Sequence, residues 1–496
     1  MCFQPPNFRP DPIPLKSPLV SPPVIDEKRT LNHTTYATTD VSSHDPNMTP
    51  QQLPAEIVLR ILDLANAPSS DSNLLKSCSL VCKAWSPHAQ KMLFRSVSIS
   101  THSGYASLLA AFKPHAPCQD RSNRSATRGS RAIGSSSISL ITTLPVFFPI
   151  SGAAYSTLLR RSVVELNMII DFNQPDGLTF TEFSHIVSLC PNIQRVGISV
   201  FGTQRPGRDV IGATDQLQTT RWAPSITDGV VEELRAAPNV SKVSGLRFNN
   251  WSDNSGILIQ LLGIWPHITS LELSGKLPTI NDGIDSAFPT VLPGAAPCRL
   301  EALSVNCATD VESNVDFIKW LLAGSQYALR RLKFLKEPSG KLLEDIFDNS
   351  TFPLESVYLP SCASPAAKQI IQRRFGSTVA STLNGDKRVP EDHPFIRAQD
   401  LKELFVEDPS TPLTFLLSAI RSETVQSFGF GVNGLTDVSF IARVIKARTR
   451  LKRVAVWIGD GGESNVGLGS LRIACAIRGI ELEETRDVKE FRAWRA

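Results

Sequence analysis

The sequence predicts an α/β chain, in which a small three-helix module near the N-terminus is followed by an irregular solenoid of alternating strands and helices. Three observations predict it. A six-residue phrase, apolar-x-x-apolar-x-apolar, recurs from Phe94-Arg-Ser-Val-Ser-Ile99 to Leu451-Lys-Arg-Val-Ala-Val456, with copies also starting at Val163, Ile193, Val243, Ile268, Leu300, Leu329, Leu354, Leu401 and Val425. Most neighbouring copies are about 25 to 32 residues apart, the spacing of a repeat architecture. Between copies lie stretches of helical period, and residues 49 to 97 hold a compact set of amphipathic helices with no strand period.

Residues 1–47 come first, crowded with Pro5, Pro6, Pro10, Pro12, Pro14, Pro18, Pro22 and Pro23 and then with Ser, Thr and His. Without an apolar period they cannot bury enough surface to offset their ordering entropy, so a disordered tail is expected. A Pro-x-x-Pro ligand for an aromatic-grooved domain is the alternative.

The helical module occupies residues 48–95. Pro54 suits a first helical position, and Ile57, Ile61 and Leu64 follow at i, i+4 and i+7. A second helix, capped by Asp71 or Ser72, puts Leu74, Leu75, Cys78, Val81, Cys82 and Trp85 on one face, and a third carries Ala89, Leu93 and Phe94. So small a unit cannot cover all this apolar surface by itself, which calls for a partner. Leu53-Pro-x-Glu-Ile57, Ile61-Leu, Leu80-Val-Cys-Lys-x-Trp85 and Leu93-Phe94 together resemble an F-box, the helical module of ubiquitin-ligase substrate receptors. The resemblance implies docking on a Skp-type adaptor and, through it, on a cullin-RING scaffold. It implies adaptor contacts for Leu53, Pro54, Ile57 and Ile61, with Leu74, Leu75, Val81 and Trp85 shared between interface and module core. The polar stretch from Asn66 to Asn73 is longer than the family's usual turn.

The repeats fill residues 96–496, interrupted by an inserted loop at about 113–155 with scattered Arg121, Arg124, Arg128 and Arg131, and by a polar stretch from Ala363 to His393. In each copy the last two apolar positions alternate as a half-buried strand does, and helices are expected at Phe180 to Leu189, Ile257 to Trp265, Val315 to Leu322 and Val438 to Ala447. Pro191, Pro238 and Pro266 end the helix before the next strand. The array resembles leucine-rich repeats, although the polar position beyond the strand is well met only at Cys362. An ordinary α/β domain is the alternative. The resemblance implies strands along an inner face, where Glu165, Arg195, Arg247, Glu272 and Glu403 mix their charges with large side chains. Arg331, Lys333, Tyr358, Phe405 and Trp457 are the expected target-binding residues, since arginines and aromatics dominate protein interfaces.

A formal net charge of +4 over 496 residues leaves no polyanion footprint, so nucleic acid is not expected as a partner. The nine cysteines have no paired spacing and no secretory start precedes them, which suits reduced thiols in cytoplasm or nucleus. No apolar run is long enough to predict a membrane span. Cys78 and Cys82, four apart on an apolar face, are expected to pack rather than bind metal, and no cofactor or catalytic residue is expected. Gly429-Phe-Gly-Val-Asn-Gly434, with Asp460 after the next strand, has the parts of a dinucleotide fingerprint and gives an enzymatic alternative. The expected function is a non-catalytic receptor subunit of an SCF-type ubiquitin ligase. A scaffold that binds the adaptor without delivering substrates is the alternative of another class.

Overall fold

Apolar residues two apart on an extended chain share one face, and a chain that returns to the same register every repeat stacks those faces into one sheet. The structure is a computed structural model that describes residues 60–61, 72–81, 86–113, 152–205, 220–254, 256–278, 296–307, 312–347, 352–361, 401–411, 416, 424–447 and 450–493. All belong to the second of the two units into which the chain divides, Met1–Pro54 and Ala55–Ala496. The tail, Leu53, Pro54, Ile57, Cys82, Trp85, Cys362, residues 114–151 and 363–393 lie outside the described residues.

The chain forms a mixed α/β fold on a twelve-stranded parallel sheet. Helices α1 (Ser72–Val81) and α2 (Ser86–Leu93) come before β1 (Ser96–Ile99). There follow α3 (His102–Phe112), α4 (Gly152–Ser162), β2 (Glu165–Asp171), α5 (Phe180–Leu189), β3 (Arg195–Phe201), β4 (Thr203–Arg205), β5 (Thr220–Trp222), α6 (Asp228–Ala236), β6 (Gly245–Trp251), α7 (Gly256–Ile264), β7 (Ser270–Gly275) and β8 (Ala302–Asn306). The remainder is α8 (Glu312–Ala323), β9 (Arg331–Phe334), α9 (Gly340–Phe347), β10 (Ser356–Leu359), β11 (Glu403–Val406), β12 (Ser427–Val432), α10 (Val438–Ala447), β13 (Arg453–Ile458), a 3-10 turn at Gly462–Ser464, α11 (Gly467–Arg478), β14 (Glu481–Thr485) and α12 (Val488–Ala493). The sheet follows chain order, and β4 and β5 stand apart as a short antiparallel pair.

Every copy of the phrase forms a strand of this sheet, and the copies pair without slippage. Leu166, Val196, Leu246, Leu271, Leu303, Leu332, Val357, Leu404, Phe428, Val454 and Leu482 are successive partners along one row. A one-residue slip would turn all of them outward, so burial of this row fixes the register. Together with the apolar faces of α3 to α11 it makes one continuous core that includes Phe183, Phe248, Trp265, Phe317, Phe334 and Phe430. Parallel neighbours need a crossover connection, and the described helices supply most of them on this side of the sheet.

The prolines act at the helix ends. The cap residues Cys190 and Ala237, each just before a proline, are extended, as sterics at that position demand. Carbonyls at these helix ends, where intrahelical donors run out, also receive a side chain from the next turn. Asn192 Nδ2 donates to the Arg161 carbonyl at 2.8 Å, and the fully buried Asn239 donates to Val187 and Cys190 at 2.9 and 2.8 Å. Near the other end Asn465 donates to the Asn433 and Thr436 carbonyls at 2.9 and 2.8 Å, in the turn that leads into α10.

The expected insertion is shorter at its C-terminal side than the sequence reading has it, because residues 152–155 already form the first turn of α4. Helix α2 leads into β1 after Phe94 and Arg95, and the Tyr155 hydroxyl of α4 donates to Gln90 of α2. The helices before the sheet are thereby held against its first repeat.

Candidate protein-binding surface

The residues between the buried rows point to the other side of the sheet, away from α3 to α11. In-register pairing arranges them in rows too. One row runs Glu165, Arg195, Gly245, Ser270, Ala302, Arg331, Ser356, Glu403, Ser427, Arg453, Glu481, and the next runs Asn167, Gly197, Arg247, Glu272, Ser304, Lys333, Tyr358, Phe405, Gly429, Ala455, Glu483. Opposite charges meet across neighbouring strands: Arg195 Nη2 lies 2.9 Å from Glu165 Oε2, Arg247 Nε lies 2.6 Å from Glu272 Oε2, and Arg453 pairs with Glu483. Partial burial works against ionisation of Glu165, but hydrogen bonds from Asn167 and Arg195 outweigh it and lower its pKa. Half-exposed pairs of this kind contribute little stability and mainly fix where charge is presented.

Over β2, β3 and β6 the face is open to solvent and aromatic. Phe201 and Trp251, register partners, stack at 6.4 Å with an interplanar angle of 10°, and Trp251 is 44% exposed. Ile169 lies on the same face, and Trp222 of β5 is also 44% exposed. The sequence reading passed over this patch because these strands run seven residues, past the end of the six-residue phrase. Continuing the alternation by one more step from Ser199 and Asn249 reaches Phe201 and Trp251.

Over β10 to β13 the same face is covered. Helix α12 follows β14 after Arg486 and Asp487 and lays Phe491 on Tyr358, Phe405 and Ala455, with Leu335 and Trp457 at the margin. The Phe491 ring lies 6.1 Å from Tyr358 and 6.3 Å from Phe405, tilted and edge-on respectively. Arg492 grips Glu407 with two hydrogen bonds of 2.7 Å, and the Tyr358 hydroxyl donates to the same carboxylate at 2.6 Å. Lys333 donates to the Arg492 carbonyl, its ammonium 5.3 Å from the Tyr358 ring centre. Burial here lowers the pKa of Lys333, and burial followed by the Glu407 contact raises that of Tyr358.

The five expected target-binding residues therefore separate. Arg331 is exposed, whereas Tyr358 and Phe405 keep 5% and 4% of their surface and Lys333 and Trp457 border the same cluster. A short charged segment, Val488-Lys-Glu-Phe-Arg-Ala493, shows too little period to have been read as their cover.

In the helical pair, Leu75, Cys78 and Ala89 form a separate small core with Met92 and Leu93. Arg60 and Ile61 are helical. Leu74 is 50% exposed, Leu80 63% and Ile61 37%. Val81 lies in α1. Apolar side chains thus stand outward on α1 beside a core too small to take them.

The glycines of the dinucleotide-like stretch are used by packing. Gly429 and Gly431 lie within β12, where a Cβ would come 2.2 Å from Phe405 Cδ1 and 2.1 Å from the Glu407 carbonyl oxygen. The start of α10 is served by its own Asp437, which accepts from the Phe440 N–H at 3.1 Å and sets a negative charge where a phosphate would sit. Cys78 packs in the small helical core. Burial pushes the thiols of Cys190 and Cys307 up to about 12 and those of Cys298 and Cys475 up to about 11. Among the described residues, no group of His, Cys, Asp or Glu is gathered to hold a metal ion, and no helix is long and apolar enough to cross a membrane. No protein-family model matches the chain, and no curated protein matches it either.

Proposed function

We propose that the chain is a non-catalytic substrate-recognition subunit of an SCF-type cullin-RING ubiquitin ligase, acting in cytoplasm or nucleus. An F-box at residues 48–95 docks a Skp-type adaptor, and a leucine-rich-repeat-like solenoid presents its helix-free face to a protein target. The observation that carries the reading is the ordered motif from Leu53-Pro through Trp85 to Leu93-Phe94, placed immediately before a sheet of in-register parallel strands. Three features support it. Leu74 and Ile61, two of the residues the resemblance assigns to the adaptor, stand exposed. The contact of Gln90 with Tyr155 ties α2 to the array, so an adaptor-bound module holds the target at a fixed bearing. Mixed charges and stacked aromatics on the open face suit a protein better than a polyanion. Catalysis then comes from proximity, the ubiquitin-charged enzyme being supplied in trans.

Co-purification with a Skp-type adaptor tests the proposal. Wild type is expected to recover adaptor, and Leu53→Ala/Pro54→Ala to recover far less, at about 1 to 3 kcal/mol lost per buried anchor. Soluble, folded wild type that recovers no adaptor would overturn it. The scaffold reading, adaptor binding without delivery, is favoured by one observation, that α12 covers the residues best suited to hold a target. Adaptor recovery without any bound protein of altered half-life would select it.

A further inference from the structure

We propose that α12 is an exchangeable latch, filling in cis a socket on the open face whose guest in trans is a helical segment of a target that presents an aromatic residue followed by arginine. The proposal deepens the receptor reading and rests on it for the guest, though not for the latch. The socket is built for this pair of side chains. Tyr358, Phe405 and Ala455 form an apolar floor, and Glu407 stands beside it, oriented by the Tyr358 hydroxyl to receive a guanidinium fork. Gly429 keeps the floor in place, since no Cβ fits beside the Phe405 ring.

Helix α12 is a weak occupant of this strong site. It has six residues, too few to be helical without its dock, and Phe491 is its one buried side chain. Its other holds include Arg492 on Glu407, Lys333 on the Arg492 carbonyl, and local bonds at the partly exposed link, where Thr485 Oγ1 donates to Glu490 and Asp487 accepts from the Lys489 N–H, each at 2.7 Å. The closed arrangement also carries a cost at the margin of the cluster, where the Trp457 indole N–H is buried without an acceptor among the described residues. A guest that supplies the same aromatic and arginine, plus contacts to the uncovered face over β2 to β8, would displace the latch by differential affinity.

The test uses the full chain and a fluorescent peptide with the sequence of residues 486–496, read by anisotropy. Phe491→Ala should weaken closure about 30-fold, from the loss of one buried aromatic side chain, and so expose the socket. The opened chain is expected to bind the peptide saturably and at least about 10-fold more tightly than wild type, and a peptide lacking the phenyl ring is expected not to bind. Arg492→Glu, which leaves Phe491 in place, should open the socket by repulsion from Glu407 and gives a second variant should Phe491→Ala fail to fold. Equal binding by wild type and both variants, or no binding by a variant whose α12 amides have lost hydrogen-exchange protection, would overturn the latch. Adaptor recovery by the same variants is expected to be unchanged, so a failure of the receptor reading would show there and leave the latch result standing.

Discussion

Gly429→Ala should loosen a region of the molecule that the substituted residue barely borders. A methyl at this position would sit 2.2 Å from Phe405 Cδ1 and 2.9 Å from Cε1, both closer than non-bonded carbons approach. Backbone cannot yield easily, because β12 is paired in parallel on both sides. The Phe405 ring must therefore turn, and it is held between Tyr358 at 6.4 Å and Phe491 at 6.3 Å. Overpacking of this kind costs about 1 to 3 kcal/mol, against which replacing a strand glycine returns about 0.5 to 1 kcal/mol. A net loss of about 1 to 2 kcal/mol is expected, with the opening of α12 as its first consequence. Gly469→Ala is the control, since α11 has nothing within 4 Å of that position and should gain about 0.5 to 1 kcal/mol. Urea unfolding gives the sign, and hydrogen exchange resolves the place, which matters in an array whose units need not unfold together. If Gly429→Ala is as stable as Gly469→Ala, or loses protection elsewhere than β11, β12 and α12, the argument from the Phe405 contact is wrong.

Other expectations follow from single contacts. Asn239→Ala removes one buried hydrogen bond from each of the Val187 and Cys190 carbonyls, which keep only long backbone donors at 3.3 and 3.5 Å, and should cost about 1 to 3 kcal/mol in the same unfolding assay, whereas loss of a merely solvated amide would cost almost nothing. Cys190, Cys298, Cys307 and Cys475, buried and with raised pKa values, should resist alkylation at pH 8 in site-resolved mass spectrometry and react once urea unfolds the chain; fast labelling of any in the native protein would contradict their placement. Trp251→Ala, at a half-exposed position, should change stability by less than about 1 kcal/mol while reducing recovery of array-bound proteins, and recovery equal to wild type would remove the aromatic patch from the binding face.

The strands were legible in the sequence because burial imposes the same demand at every copy, and Leu246, Leu303 and Val454 meet it with side chains that admit no other reading once the period is seen. The last strand escaped because β14 ends in Glu483, Glu484 and Thr485, residues suited to an edge with solvent beside it. The pair β4 and β5 is only three residues long on each side, below any periodic signal. The open face was legible as a set of residues, since whatever is not buried along such a strand must lie on the other side. What covers part of it was not, because the docking of α12 depends on one phenylalanine among charged neighbours and on tertiary contacts with residues 85 or more positions earlier in the chain, such as Phe405 and Glu407. The glycine stretch admitted two readings for a related reason: close packing beside a neighbouring ring and close approach to a phosphate ask for the same missing side chain.

Delivery of a target is tested most directly by comparing, in cells, wild type with Leu53→Ala/Pro54→Ala for the proteins each binds and for the half-lives of those proteins. A receptor predicts that both capture the same proteins through the array, and that at least one of them lives longer with the adaptor-blind variant. Captured proteins whose half-lives are the same with either chain would contradict it, and would leave a repeat scaffold that holds partners without sending them for ubiquitination.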